Sequence, residues 1–256
     1  MIYSKLLKIR LFKCFLVVFL YRQMIKGIVN IMAKYRFQIF IKLFICFLII
    51  SCEKPQQEKS LLIYGSREIV ERTDENNKTF IDTIYHTIGD FTFIDQDSSI
   101  ITSQTFSNSI YVTDFFFTTC PSICPKMTAQ MMRVYEQFEN NNQVKILSHS
   151  IDPEHDSVTV LKEYANNLGV KSDKWHFVTG DKKEIFEMGE KNYMVAIVED
   201  ENVDGGFFHG GHFLLVDHKK HIRGIYDGTD SLDVKELIND IHVLLNELNK
   251  DLDKPL

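Results

Sequence analysis

A mixed α/β fold, with a central sheet flanked by helices on both faces, is predicted by three features of this chain. Runs of β-branched and aromatic residues alternate with segments of helical periodicity. The order is strand, helix, strand, helix, strand, then a strand pair and a last helix. A final block, Asp233–Leu248, is strongly amphipathic at a period near 3.6. Taken in order, Phe91-Thr-Phe-Ile-Asp95 alternates as a strand does and runs into a polar turn over Gln96–Ser99. Ile110–Phe117 has no charge but Asp114, the pattern of a strand buried on both faces. Thr128–Glu139 places Met131, Met132, Val134, Tyr135 and Phe138 at helical spacing. Val144–Ile151 is a second buried strand, closed by Asp152-Pro153. Ser157–Leu168 is a helix with Gly169 where a C-terminal cap belongs. Trp175–Val178 reads as a strand and Lys182–Lys191 as a helix. Phe213–Asp217 and Ile222–Tyr226 are strands around a His218–His221 turn.

The 256 residues divide into unlike parts. Residues 1–52 carry nine basic side chains and no acidic one, whereas residues 53–256 hold 20 basic against 35 acidic, a net of −15. So acidic a body makes nucleic acid an unlikely partner. Within the leader, Met32-Ala-Lys34-Tyr-Arg36 followed by the apolar run Phe37–Ile50 has the form of an export signal over residues 32–51. Met32 could equally be the start of the chain, with Met1 an over-extended one. Ile49-Ile50-Ser51-Cys52 is similar to the lipobox of bacterial lipoproteins, which implies a lipid on Cys52 as the mature N-terminus. An uncleaved anchor helix ending near Ile50 is the alternative. Either way the body lies outside the cytoplasm, on the periplasmic side, and residues 53–84 are a tether and N-terminal extension. A domain over residues 85–250 follows.

Cysteine partitions in the same way. Cys14, Cys46 and Cys52 fall in the leader, which leaves Cys120 and Cys124 in the body. This pair stands in Thr119-Cys120-Pro121-Ser122-Ile123-Cys124-Pro125, between the most buried strand and the following helix, and such strand ends are where α/β sheets put their sites. Pro125 suits a first helical turn, so Cys124 is expected near the N-cap, where the positive helix end favours thiolate over thiol. A structural disulfide is the bland alternative, but closing so short a loop constrains the unfolded chain little. No glycine-rich phosphate loop, nucleophilic serine motif or His-Glu-x-x-His helix occurs.

Phe115-Phe-Phe-Thr-Thr-Cys-Pro-Ser-Ile-Cys-Pro-Lys-Met127, Ile146-Leu-Ser-His-Ser-Ile-Asp-Pro-Glu-His-Asp156 and Trp175-His-Phe-Val-Thr-Gly180 together resemble the Sco/SenC family of copper chaperones over about residues 85–230. The resemblance implies a thioredoxin-like fold and a copper site of Cys120, Cys124 and a histidine just before a late strand. Two thiolates and an imidazole suit Cu(I) and also admit Cu(II). In the family pattern that histidine is His209. His212, its competitor, opens the strand, where the pleat fixes its direction, whereas His209 is expected in a mobile loop between Gly205-Gly206 and Gly210-Gly211. The implied function is delivery of copper to the dinuclear site of a cytochrome c oxidase subunit, or to another cuproprotein. A thiol:disulfide oxidoreductase working on a partner's cysteines through Cys120 and Cys124 is the alternative, and a sensor would share the same site.

Of the other residues, His86, His155, His176, His218, His221 and His242 are expected as solvated or satisfied surface groups, and His149 in the core with hydrogen bonds. Met127 and Met131 are expected to fill the core, and Asp152 to cap the turn beside the site.

Overall fold

The computed structural model describes residues 59–200 and 207–253, apart from the side chains of Phe208 and His209. The leader expected over residues 1–52, with Cys14, Cys46 and Cys52, lies outside the described residues. Among the described residues no helix is long and apolar enough to cross a membrane.

The chain opens with a hairpin of β1 (Arg67–Thr73) and β2 (Thr79–Tyr85), which pair antiparallel as a separate two-stranded sheet. It falls in the stretch expected as an extension. Charged residues interrupt the alternation on both of its faces, and most of its side chains are exposed, so it carries no periodic signature. The main sheet follows, built from β3 (Thr92–Asp95), β4 (Ile100–Thr102), β5 (Ile110–Phe116), β6 (Val144–Ser150), β7 (Trp175–Thr179), β10 (His212–Val216) and β11 (Ile222–Asp227). Between β7 and β10 a second small sheet is formed by β8 (Ile197–Glu199) and β9 (Phe207–His209). The helices are α1 (Cys124–Phe138), α2 (Val158–Leu168), α3 (Lys182–Glu187) and α4 (Ser231–Leu252).

Strand order in the main sheet is β11-β10-β5-β6-β7-β3-β4. The central three strands, β5, β6 and β7, run parallel, and the flanking ones are antiparallel to their neighbours. Every residue of β5 is buried, as its uninterrupted apolar run requires. One face of the sheet receives α1 and α2: the Tyr164 ring lies against Phe116 and Phe177, and Tyr135 against Trp175. On the opposite face Phe115 meets Tyr193, which follows a π-helical turn at Met188–Asn192. This is the mixed α/β arrangement the sequence predicts.

Several boundaries differ for local reasons. The helix whose apolar spacing is read over Thr128–Glu139 begins at Cys124, with Pro125 in its first turn as expected. The helix expected over Lys182–Lys191 holds α-geometry only to Glu187. The π turn beyond it lets Gly189 approach the β8 side chains, and a Cβ there would stand 2.5 Å from Ile197 Cδ1. Gly169 ends α2 at φ 71° at the expected place, and Ser157, expected as its first residue, stands as its N-cap.

Two histidines depart from expectation. His176 is buried rather than at the surface, with Nδ1 3.1 Å from an Asp95 carboxylate oxygen. His149 is buried in β6 as expected but neither ring nitrogen has a hydrogen-bond partner. It stacks on Phe115 at 4.9 Å between centroids and meets Phe93 and Tyr193 at 5.3 and 5.5 Å. Loss of hydration in this cage pushes its basicity down to about 3 from the ordinary 6.5. The folded chain therefore keeps His149 neutral while the unfolded chain protonates it below 6.5, so stability falls as pH drops from about 6.5 toward 3. His149→Leu removes that penalty. Its unfolding free energy, from denaturant titrations followed by circular dichroism, should gain about 2–3 kcal/mol relative to wild type at pH 4.5 over the difference at pH 8.

Candidate metal centre

Cys120 and Cys124 are both reduced and both buried, at 8% and 4% exposure. The buried strand β5 ends at Phe116, and the chain turns through Phe117–Ile123 before α1 begins. The turn is hydrogen-bonded inward: Cys120 N–H donates to Phe117 O at 3.2 Å, and Ile123 O accepts from Lys126 and Met127 at 3.0 Å each. Both sulfurs thus sit at the carboxyl end of a central strand and at the amino end of a helix, on one short loop.

The loop is held from the side by a residue the sequence reading passes over. Asp156 is wholly buried, and its Oδ2 accepts from Thr118 N–H at 3.0 Å and from Ser150 Oγ at 2.5 Å. Its Oδ1 accepts a further bond from the Thr118 hydroxyl, and His155 Nδ1 lies 3.1 Å away. The carboxylate therefore ties the segment before Cys120 to the end of β6. Asp152 was expected to cap this turn. Its contribution comes from the main chain, where its carbonyl accepts from Asp156 N–H at 2.8 Å and His155 N–H at 3.2 Å. In sequence Asp156 differs from any other aspartate before a helix only by its burial, so no pattern marks it.

The two thiols are inequivalent. Burial works upward on the Cys120 pKa, but hydrogen bonds from the Cys124 side chain, from the Cys124 and Ser122 backbone and from the Ser122 hydroxyl outweigh it, and the pKa ends below that of an ordinary thiol. Ser122 Oγ stands 3.7 Å from Cys120 Sγ. Cys124 goes the other way. Burial pushes it well up, and its hydrogen bond to Cys120 adds to the rise despite a backbone donor from Phe117. The sequence reading, in which the helix end makes thiolates of both, thus holds for Cys120 alone, because desolvation exceeds the helix field at Cys124. Asp114, behind the site in β5, is pushed up to about 7 by burial, against a 2.5 Å hydrogen bond from Ser148 Oγ.

The expected third ligand lies on a different segment of backbone. His209 does not stand in a loop: it closes strand β9, paired with Ile197 of β8, and its side chain lies outside the described residues. Its neighbours on both sides touch the dithiol loop. The ring of Phe207 packs on Phe117 with centroids 5.2 Å apart. At Gly211 a Cβ would stand 3.4 Å from Ile123 Cδ1 and 3.7 Å from Met127 Sδ. The backbone of His209 therefore runs between two contacts that bracket Cys120 and Cys124. His212 is the first, exposed residue of β10. Met127 and Met131 are buried in the core, as expected of gap-filling side chains. Phe207 was not singled out by sequence, although an aromatic two residues before the histidine is the available signal, and Gly210-Gly211, read as part of a mobile loop, instead leads into β10.

The sequence pattern of the SCO1/SenC family matches residues 82–246. A SCO1/SenC family lipoprotein from Bacillus anthracis is 26% identical, with a TM-score of 0.58, over 62% of this chain and 95% of that one. BsSco, a member of the Sco family of cytochrome c oxidase assembly proteins in which a disulfide switch was identified, is 31% identical with a TM-score of 0.55. That match covers 62% of this chain and 93% of BsSco. Arabidopsis thaliana ScoI, solved with copper bound, has the same fold at 24% identity and a TM-score of 0.52, over 62% of this chain and 98% of its own.

The split between the thiols sets two measurable outcomes. Limited alkylation of the reduced chain with iodoacetamide at pH 7, read by peptide mass, should label Cys120 well before Cys124. Asp114→Asn should stabilise the fold at alkaline pH. The wild-type carboxyl is protonated in the folded state up to about 7 but ionised in the unfolded state above 3.8, so wild-type stability falls as pH rises through that window. Relative to wild type, the variant should therefore gain up to about 4 kcal/mol between pH 4 and pH 8 in urea titrations.

Proposed function

The chain belongs to the SCO1/SenC family, and from that premise we propose that it carries one copper ion on Cys120, Cys124 and His209 and delivers it to the dinuclear copper site of cytochrome c oxidase during assembly. The observation that carries this reading is the bracketing of His209. Phe207 on Phe117 and Gly211 against Ile123 bring an imidazole-bearing strand alongside two buried thiols. The donor set fits the cargo: soft sulfur selects Cu(I), and one imidazole completes a trigonal site that Cu(II) can also enter. Copper here is what the protein transports, and binding it releases the protons of the thiols, so uptake strengthens as pH rises. A lipid on Cys52 would tether the domain outside the cytoplasm and beside a membrane-bound recipient. The lipoprotein relative supports that placement.

The inequivalence of the thiols favours a second reading beside the first, a thiol:disulfide oxidoreductase. The Cys120 thiolate attacks a partner disulfide and forms a mixed disulfide, and one partner thiolate leaves and takes up a proton. Cys124 then loses its proton and displaces the second partner sulfur. The partner gains two electrons and two protons and the Cys120–Cys124 pair becomes a disulfide. The same oxidation removes both thiolate donors, so redox state and copper loading exclude each other. The disulfide switch of BsSco is consistent with such a coupling.

Titration of the reduced full chain with Cu(I) against a competing chelator should give one copper per chain. Cys120→Ser and Cys124→Ser should each weaken binding by more than the roughly 10–100-fold that changes around a ligand cost. His209→Ala should weaken it by at least about tenfold and abolish the thiolate-to-Cu(II) charge-transfer band of the wild type. Wild-type affinity in all three variants contradicts the proposal. Full turnover of a disulfide substrate by His209→Ala, with copper uptake unaffected, favours the reductase.

A further inference from the structure

The pair β8–β9 that carries His209 is three residues long on each strand and stands apart from the main sheet. A two-stranded ribbon of that size is not stable alone, so its position depends on what it touches. At one end of the ribbon Ile197, the cross-strand partner of His209, is buried beside Gly189 and Phe115. At the other end the cross-strand pair is Glu199 and Phe207. A single cation engages both members of that pair. Lys182, at the start of α3, ion-pairs with the Glu199 carboxylate and places Nζ 5.5 Å from the centroid of the Phe207 ring. It also stands 3.7 Å from Glu154, in the turn that carries His155 and Asp156. The Phe207 ring then packs on Phe117, whose carbonyl and N–H are bound within the dithiol loop.

We propose that Lys182 is a positioning residue for the metal ligand: it latches the Glu199–Phe207 end of the β8–β9 ribbon to α3 and thereby holds His209 at the dithiol. The proposal rests on His209 being the third copper donor. Lys182 touches no donor atom and acts only through the ribbon. An ammonium within about 6 Å of an aromatic centroid together with an ion pair at a half-exposed site accounts for roughly a tenfold effect. Arginine keeps both interactions, whereas glutamine keeps the length and loses the charge. Because the pair is partly solvated, salt weakens it.

The test uses the full chain, reduced, in two readouts. In Cu(I) competition, Lys182→Gln should bind about tenfold more weakly than wild type, Lys182→Arg should restore binding, and the affinities of wild type and Lys182→Arg, but not of Lys182→Gln, should decline with added salt. In the His209→Ala background the Lys182→Gln substitution should cost nothing further, which a general loss of structure would not reproduce. Without copper, amide exchange of Phe207–His209 should quicken in Lys182→Gln while exchange in β5 and β6 stays unchanged. Equal affinity of Lys182→Gln and wild type, or an undiminished penalty in the His209→Ala background, overturns the latch. If His209→Ala itself binds copper as wild type does, the ligand assignment has failed and the latch's role with it. A weakened His209→Ala beside an unaffected Lys182→Gln refutes the latch alone.

Discussion

Two sulfurs buried on one loop within reach of each other cannot both be anions unless a cation joins them or a covalent bond removes the charge. This constraint governs the site. Desolvation raises the cost of each thiolate, and the hydrogen bond between the pair lets one sulfur ionise only by holding the proton on the other. A split in which the Cys120 pKa moves down and the Cys124 pKa moves up is the metal-free resolution of that conflict. A soft monovalent ion is a second resolution and a disulfide a third. Copper carriage and thiol–disulfide exchange are thus alternative ways of discharging one electrostatic problem, and a chain built for either has the means for the other.

The rest of the fold serves to keep that loop where it is. The buried strand β5 delivers it to the edge of the core, Asp156 pins Thr118 against the end of β6, and α1 starts directly at Cys124. The strand that carries His209 comes from a segment distant in sequence that is not part of the main sheet. Its approach rests on aromatic packing between Phe207 and Phe117, with the backbone of Gly211 beside Ile123. The sulfurs stand on a loop tied into the main fold, and the backbone of His209 stands on a separately supported ribbon.

How much of this was legible in the sequence follows from how far each feature depends on local pattern. The β5 run, the helix capped by Ser157 and Gly169 and the two thiols beside Pro125 are local signals, and each lies where the pattern predicts within a few residues. The β1–β2 hairpin was not legible, because its exposed side chains leave no alternating burial to read. Asp156 and Lys182 were missed for another reason. Their roles depend on partners 38 and 17 residues away, at Thr118 and Glu199, and a charged residue in a turn or at a helix start has the same local appearance whether or not it binds anything. His149 shows the converse. Its placement in a buried strand was readable, but whether its nitrogens found partners was decided by the rings of Phe93, Phe115 and Tyr193 around it.

The central claim is that the buried dithiol and the ribbon-borne imidazole converge on one metal ion. X-ray absorption at the copper edge of the Cu(I)-loaded full chain tests it most directly. The account predicts two sulfur scatterers and one nitrogen scatterer around copper, with the nitrogen lost in His209→Ala. A copper bound by sulfur alone in the wild type, or a nitrogen that survives the His209→Ala substitution, would contradict it.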